Sequence, residues 1–255
     1  MALDPTLAGC GEIFVLAWDG WSAVFDSMGV EEKSPWAGKL LGVHRDTHPH
    51  WVVDYGCYAV TLRCRGTLPK AVQTQLREIG AALETVEPVS EEAENYRRKH
   101  FAILERALDQ SDGFCPFQSD AAAWDMMAFL EAYDYEKLSF EQWVIMPNHL
   151  HLLTKPIALQ GVDDFIRAWR RFKSRSARAV NQTLARNGPF WQSSWYDRWI
   201  RSPDEWRKWS DYLAQNPVKA GLSASAEAYP YFRAPHVGRQ PTSRGLRRSR
   251  AGPTT

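Results

Sequence analysis

The 255-residue sequence lacks several features that would assign it to a class at once. Its four cysteines have no CxxC spacing, which argues against structural zinc and favours a reduced, cytoplasmic chain. It has no run of about 18 apolar residues, so we expect no transmembrane helix and no membrane partner. The first residues also lack the basic segment that opens a secretory signal.

The chain also lacks a net charge of one sign. Its 31 Lys and Arg residues balance 30 Asp and Glu residues, for a formal charge of +1, which excludes a protein that coats DNA through overall basicity. The balance is uneven, because the stretch from Arg233 to the end contains six arginines and no acid. Its Gly, Pro and Ser content predicts a basic disordered tail.

Hydrophobic periodicity predicts an α+β fold. Period-two patterns indicate strands, and patterns that repeat every three or four residues indicate helices. Their order predicts a small antiparallel sheet of four to five strands flanked by helices. We expect strands over 51–65, 138–146, 149–156 and 195–201, and helices over 69–86, 90–108, 120–133, 162–187 and from 203 to about 215.

Helix boundaries follow from capping residues and prolines. Ser90 and Asp120 are predicted N-caps, and Ser202 followed by Pro203 predicts the start of the last helix. That helix should end near Gln215, because the residue before a proline is disfavoured in the helical region.

Two histidines on the predicted strand 149–156 raise the question of a metal site. His149 and His151 are separated by Leu150, so their side chains share one face of a strand. Two imidazoles are half of a metal site, and the remaining ligands must come from elsewhere. The alternative is a pair of histidines that are solvated or bonded to neighbours.

A second pair with the same spacing is His48-Pro49-His50. The central proline cannot donate to a strand ladder, so we assign this pair to a loop without function.

The last helix offers further chemistry. Trp206, Trp209 and Leu213 form its apolar stripe, and Tyr212 and Asn216 lie one turn apart on a neighbouring stripe. The phenol is a possible nucleophile and the carboxamide a possible third metal ligand. The alternative for Tyr212 is an amphipathic packing residue.

The motifs stand in an order that resembles a known family. MPNHLH, a basic helix, FWQSSWYDRWIR and DYLAQNPVKAGL follow one another as in the single-tyrosine HUH transposases, and most closely in the REP-associated tyrosine transposases. The resemblance covers roughly 56–222 and implies a ferredoxin-like, palm-type HUH fold. This predicts an N-terminal extension at 1–50, a catalytic domain at 51–232 with a helical insertion near 86–118, and a tail at 233–255.

The resemblance implies a chemistry for the site. His149, His151 and Asn216 would hold a divalent ion, Mg²⁺ or Mn²⁺, and Tyr212 would be the nucleophile. The protein would nick and rejoin single-stranded DNA at hairpin-flanking sites through a covalent phosphotyrosine, acting as a monomer or homodimer.

Basic residues between the motifs are the predicted binding surface for single-stranded or hairpin DNA. Those on the long helix surround much of it, so some face solvent in any orientation. A catalytically lapsed hairpin-binding protein is the alternative, and a metal-dependent hydrolase of small phosphates is weaker. The predicted DNA-binding residues are Arg167, Arg170, Arg171, Lys173, Arg175, Arg178, Arg198 and Arg201.

Overall fold

The computed structural model describes residues 34–46, 49–87, 90–110, 113–133 and 138–235. They belong to one compact unit, 33–235. Nearly all of the predicted tail and most of the predicted extension 1–50 lie outside the described residues, so the domain bounds stay a prediction.

The described residues contain seven strands and five α-helices. The strands are β1 (Leu40–Arg45), β2 (Pro49–Val53), β3 (Cys57–Arg63), β4 (Phe140–Met146), β5 (His149–Thr154), β6 (Tyr196–Ile200) and β7 (Phe232–Arg233). The helices are α1 (Lys70–Thr85), α2 (Glu91–Asp109), α3 (Asp120–Ala132), α4 (Val162–Thr183) and α5 (Pro203–Lys219), with a short 3₁₀ turn at Pro116–Gln118. None of these helices combines the length and apolarity needed to cross a membrane.

A five-stranded antiparallel sheet forms the centre of the fold, in the order β6-β3-β5-β4-β7. Strands β1 and β2 pair with each other in a separate antiparallel ribbon. Without β7, the sheet follows the βαββαβ pattern of a ferredoxin-like domain. The predicted α+β class and the sheet size are confirmed.

Strand register decides which residues face the same way. Thr61 pairs with His151 and Arg63 pairs with His149 across β3 and β5. Since directly paired residues lie on one side of a sheet, these four side chains share one face.

The opposite face carries α3 and α4. Phe165 of α4 packs on Tyr58 of β3 with ring centroids 5.2 Å apart, and Phe172 lies 5.1 Å from Phe140 of β4. Trp169 is fully buried between them in the main hydrophobic core. The apolar stripe of α4 therefore faces the sheet, and its arginines are exposed on the other side of the helix.

The histidine-bearing face carries α1, α2 and α5. Phe101 of α2 packs on Tyr196 of β6 with ring centroids 5.0 Å apart. Gln142 of β4 donates its side-chain amide to the carbonyl of Ser210 in α5, at 3.0 Å. The sheet is thus covered on both sides, and the two histidines point into a helical layer.

The predicted single strand 51–65 is wrong, because the chain turns between β2 and β3. Tyr55 adopts φ 60°, a left-handed conformation that side chains other than Gly rarely take and that periodicity does not reveal. The loop prediction for the second histidine pair is also wrong at His50, which lies in β2. Pro49 is the first strand residue, where the missing N–H is tolerated. His48 lies outside the described residues.

Most predicted helix starts are confirmed. Ser90 accepts from the Ala93 amide at 3.1 Å, and Ser202 accepts from the Glu205 amide at 3.1 Å. The N-cap prediction for Asp120 is wrong by one residue, since Asp120 is the first helical residue and Ser119 precedes it.

The predicted end of the last helix near Gln215 is wrong. Helix α5 continues through Pro217 to Lys219. A proline in the last turns removes only one helical hydrogen bond, and the Ala220 amide still bonds to the Asn216 carbonyl at 3.0 Å. Asn216 and Pro217 are both buried, so tertiary packing outweighs the local preference. The continuation keeps Asn216 in helical register with Tyr212.

Candidate active site

The four residues predicted for the reaction centre meet in the structure. His149 and His151 are each 1% exposed, and their Nε2 atoms lie 2.9 Å apart. The Tyr212 ring stands 5.4 Å from the His151 ring, centroid to centroid. Asn216 Nδ2 lies 3.2 Å from His151 Nε2 and donates to the Tyr212 hydroxyl at 3.0 Å.

Neighbouring side chains fix the orientation of the imidazoles. Asn148 donates its amide to the Leu108 carbonyl at 2.9 Å, which leaves its Oδ1 to accept from His149 Nδ1 at 2.6 Å. His149 therefore carries its proton on Nδ1 and a lone pair on Nε2. Thr61 Oγ1 holds His151 Nδ1 at 2.9 Å. Both Nε2 atoms thus point to one spot, the arrangement in which the second nitrogen of a metal-binding histidine is held by the protein.

The charge state of His149 suits a ligand. Burial, followed by the neighbouring His151, lowers its pKa to about 3 despite the opposing effect of Glu105. The imidazole is neutral at pH 7, and a neutral imidazole is the form that binds a metal ion.

Glu105 is a fifth member of the cluster that the sequence motifs did not indicate. It comes from α2, accepts a hydrogen bond from the Tyr212 hydroxyl, and its Oε2 lies 3.3 Å from His151 Nε2. The ligand atoms of Glu105, His149 and His151 all lie within 4.8 Å of one another. Burial raises the pKa of Glu105, but the two imidazoles and the Tyr212 hydroxyl outweigh it and lower the value to about 2.

The only sequence signal for Glu105 is its place on the buried stripe of α2, next to Leu104 and between Phe101 and Leu108. A carboxylate on an apolar stripe needs a partner. Helix α2 lies in the segment that departs from the family resemblance, so the motifs give no reason to examine it.

The cluster fits a divalent cation. Two imidazole nitrogens with lone pairs repel each other unless a proton or a cation lies between them. Glu105 Oε1 and Asn216 Oδ1 are buried without a hydrogen-bond partner in the described part of the chain. Rotating the Asn216 carboxamide would turn Oδ1 towards the same point. A set of nitrogen and oxygen donors suits Mn²⁺ and, less well, Mg²⁺.

The Tyr212 phenol is held between two groups, since it donates to Glu105 and accepts from Asn216. Burial and the nearby Glu105 raise its pKa well above the ordinary value. The phenol is therefore protonated at pH 7, and its use as a nucleophile requires a proton acceptor or a cation at the site.

Five of the predicted DNA-binding residues are exposed on α4, which packs on the sheet face opposite the histidines. The structure does not bring them to the cluster, and their part in binding DNA stays a prediction. They are Arg167, Arg170, Arg171, Arg175 and Arg178.

Lys173 of α4 has bonds within the fold. Its ammonium donates to the carbonyls of Gln192 at 2.6 Å and Ser193 at 2.5 Å and lies 5.1 Å from the centre of the Trp195 ring. Burial lowers its pKa to about 8. Lys173 therefore fixes α4 to the segment before β6, which is a structural role.

Arg198 and Arg201 join an ion-pair network. Arg198 contacts Glu94 at 2.6 Å and Glu205 at 2.7 Å, and Arg201 lies 3.5 Å from Glu94. These pairs tie β6 and the start of α5 to α2, the helix that carries Glu105. A phosphate contact by either arginine would compete with these carboxylates.

Comparison with known proteins confirms the predicted resemblance. Over 90 residues the chain is 32% identical to the REP-associated tyrosine transposase of Escherichia coli (strain K12), a stretch that is 35% of this chain and 50% of that protein. The chain thus spans about half the length of this curated relative. A solved structure of the REP-associated tyrosine transposase bound to a REP hairpin matches with a TM-score of 0.40 and 17% identity, over 72% of this chain and 79% of that one. No protein-family model matches.

Proposed function

From the resemblance to the REP-associated tyrosine transposases, we propose that this chain is a metal-dependent DNA strand transferase that nicks and rejoins single-stranded DNA beside a hairpin. The observation that supports it most is the meeting of Tyr212 with His149 and His151 through the Glu105 carboxylate. A phenol placed beside a set of metal ligands is the arrangement that phosphodiester cleavage by a tyrosine requires.

The proposed reaction begins with attack by the Tyr212 oxygen on the scissile phosphorus. A divalent cation held by His149, His151 and Glu105, or by Asn216 in place of Glu105, would act as a Lewis acid on a non-bridging phosphate oxygen. Asn216 orients the phenol through the hydrogen bond that it donates. Glu105 already accepts the phenol's hydrogen and is placed to take the proton.

The step is balanced by the release of a 3′-hydroxyl. The tyrosine O–P bond forms as the bridging bond between phosphorus and the 3′ oxygen breaks, and that oxygen takes up a proton. An aryl oxide is a good leaving group, so a second 3′-hydroxyl can reverse the step and join a new pair of ends.

The test uses the full chain with Mn²⁺ and a labelled hairpin oligonucleotide that has single-stranded flanks. We expect a covalent protein–DNA adduct on a denaturing gel from the unaltered chain and none from Tyr212→Phe, which should bind the hairpin with similar affinity. Tyr96→Phe makes the same chemical change on a different helix, α2, and should retain the adduct. An adduct that persists in Tyr212→Phe would exclude this phenol as the nucleophile.

A hairpin-binding protein without catalysis is the second candidate. It is favoured by one observation, that the Glu105 carboxylate stands between Tyr212 and the histidines, where a phosphate would have to enter. It predicts salt-sensitive hairpin binding, no adduct with Mn²⁺ or Mg²⁺, and unchanged binding in His149→Ala.

A further inference from the structure

A polar cavity lies beside the candidate metal site (Glu105, His149 and His151, called the metal cluster below) on the same face of the sheet. It has a volume of about 200 Å³ and is enclosed by β3, the segment before β6, α1 and α2. Its lining includes Thr61, Arg63, Gln73, Arg77 and His100. Nothing in the reaction proposed above uses this space.

Arg63 is the unusual member of the lining. Its Nη1 is buried and makes no hydrogen bond in the described part of the chain, and no carboxylate there forms an ion pair with it. Burial lowers its pKa to about 10, so the guanidinium still carries its charge at pH 7. Arg63 is half-buried, and a partly desolvated charge without a partner is unfavourable unless a ligand binds it.

The rest of the lining is suited to an oxyanion. It includes a second guanidinium, Arg77, and the side-chain amides of Gln73 and Gln192, and neither Asp nor Glu is among the described residues that line it. Burial, and then the charge of Arg63, lower the pKa of His100 to about 4, so this imidazole is neutral at pH 7. Guanidinium and amide donors without a competing carboxylate are the groups that bind phosphate oxygens.

The cavity and the metal cluster share a wall. Thr61 lines the cavity and also holds His151 through its hydroxyl. Arg63 pairs in register with His149 on the neighbouring strand. An anion bound at Arg63 would therefore lie beside the scissile phosphate on the same sheet face.

We propose that this cavity binds a second backbone phosphate of the DNA strand, next to the one that is cleaved, through Arg63 and Arg77. The proposal rests on the function proposed above. It places DNA contacts on β3 and α1, on the histidine-bearing face, and needs no contribution from the arginines of α4.

The experiment combines charge removal on the protein with charge removal on the DNA. A series of hairpin oligonucleotides carries a single neutral methylphosphonate at each position of the flank, and each is titrated with the unaltered chain, Arg63→Gln and Arg77→Gln. We expect Arg63→Gln to weaken hairpin binding roughly tenfold or more and to lower the slope of log affinity against log salt by about one.

The decisive result is whether the effect of a methylphosphonate depends on the presence of Arg63. One methylphosphonate outside the scissile position should weaken binding by the unaltered chain and have no effect on Arg63→Gln, and Arg77→Gln should reduce the effect of the same position. Arg77 is exposed at the cavity, so this second variant tests the site even where Arg63→Gln fails to fold. Arg98→Gln, an exposed change on α2, should keep the full methylphosphonate pattern of the unaltered chain.

Two results would overturn the proposal, and they separate failure of the cavity site from failure of the proposed function. If the unaltered chain binds the hairpin but Arg63→Gln and Arg77→Gln keep its methylphosphonate pattern, the cavity is not a phosphate site and the transferase proposal is untouched. If the unaltered chain does not bind the hairpin at all, the proposed function fails and the subsite fails with it.

Discussion

One buried histidine, His50, and the buried pair His149 and His151 differ in what their ring nitrogens contact. His50 is fully buried with an acid on each ring nitrogen, Asp197 at 2.5 Å from Nδ1 and Asp46 at 3.2 Å from Nε2. His149 and His151 have protein partners on Nδ1, but their Nε2 atoms face each other. Beside them lie a carboxylate and a carboxamide oxygen that have no hydrogen-bond partner among the described residues.

The difference in bonding sets the charge. Burial lowers the pKa of His50, but Asp197 and Asp46 outweigh it and raise the value to about 9, so the ring is a cation at pH 7. Burial lowers the pKa of His149 to about 3, and that ring is neutral. His50 is part of an ion-pair cluster that holds β2 to β6, whereas neutral His149 presents the lone pair of its Nε2 towards His151. In the described part of the chain, unused bonding capacity thus distinguishes the candidate metal site from the His50 cluster.

The largest expected effect comes from a substitution that breaks the ion-pair cluster of His50. His50→Asn leaves the buried Asp197 without its imidazolium partner, and we expect the free energy of unfolding to fall by about 3–5 kcal/mol. His149→Ala loses the bond to Asn148 and empties a small buried volume, and should cost about 2 kcal/mol. Urea unfolding without added metal measures both values. Equal losses in the two variants would show that both clusters are structural.

The pH dependence of stability gives the next effect. His50 has a folded pKa near 9 against about 6.5 unfolded, so its stabilisation is complete below pH 6.5 and is lost as the pH rises through 9. The full loss is about 3 kcal/mol. Unfolding of the unaltered chain and of His50→Asn between pH 6 and 10 measures it, and their difference should shrink as the pH rises.

The unaltered chain has to be compared with His50→Asn because Lys173 also titrates in this pH range. Burial lowers its folded pKa to about 8, so in this range its contribution to stability increases with pH and opposes that of His50. Lys173 is present in both chains and cancels in the difference. A gap between the two chains that stays constant from pH 6 to 10 would contradict the assignment of charge to His50.

The sequence predicts the local parts of this comparison and misses the distant ones. The β4–β5 hairpin, the shared face of His149 and His151, and the spacing of Tyr212 and Asn216 all follow from short-range periodicity. The contact between His50 and Asp197 does not follow from it, because the two residues lie 147 positions apart in the chain. Local sequence therefore does not show that His50 is bonded to acids while His149 and His151 face each other.

The sequence misses the role of Glu105 and the continuation of α5 through Pro217 for the same reason. Glu105 reaches the site from the segment that departs from the family pattern, and its distance from the histidines cannot be read from α2 alone. Pro217 ends a helix by local rules, but burial of the last turn keeps α5 intact through it. Local propensity is a weak guide where packing decides.

Added Mn²⁺ should stabilise the fold through His149 and His151 and not through His50. Mn²⁺ at a hundred times its dissociation constant should stabilise the unaltered chain by about 2.7 kcal/mol, and a chelator should reverse the effect. His149→Ala should lose this response, and any His50→Asn protein that folds should keep it. Thermal unfolding with and without Mn²⁺ measures the shift. A response in His149→Ala equal to that of the unaltered chain would place the ion elsewhere.

The identity of the third ligand gives a smaller difference. If Glu105 binds the ion, Glu105→Gln should weaken the affinity for Mn²⁺ roughly tenfold, about 1.4 kcal/mol, and Asn216→Ala should have less effect. Calorimetric titration compares the two. The reverse order would assign the position to Asn216, as the family resemblance implies, and would leave Glu105 as the partner of Tyr212.

Arg63 adds a charged group that has no ion-pair partner among the described residues. If its guanidinium is kept for a DNA phosphate, the fold is less stable because of it, and Arg63→Met should raise the free energy of unfolding by about 1 kcal/mol while the apolar stem keeps its packing. Arg98→Met, an exposed change, should stay within about 0.5 kcal/mol of the unaltered chain. Urea unfolding without DNA measures both. A loss of stability in Arg63→Met would mean that the charge is satisfied within the fold, and Arg63 would then belong with His50 among the structural groups.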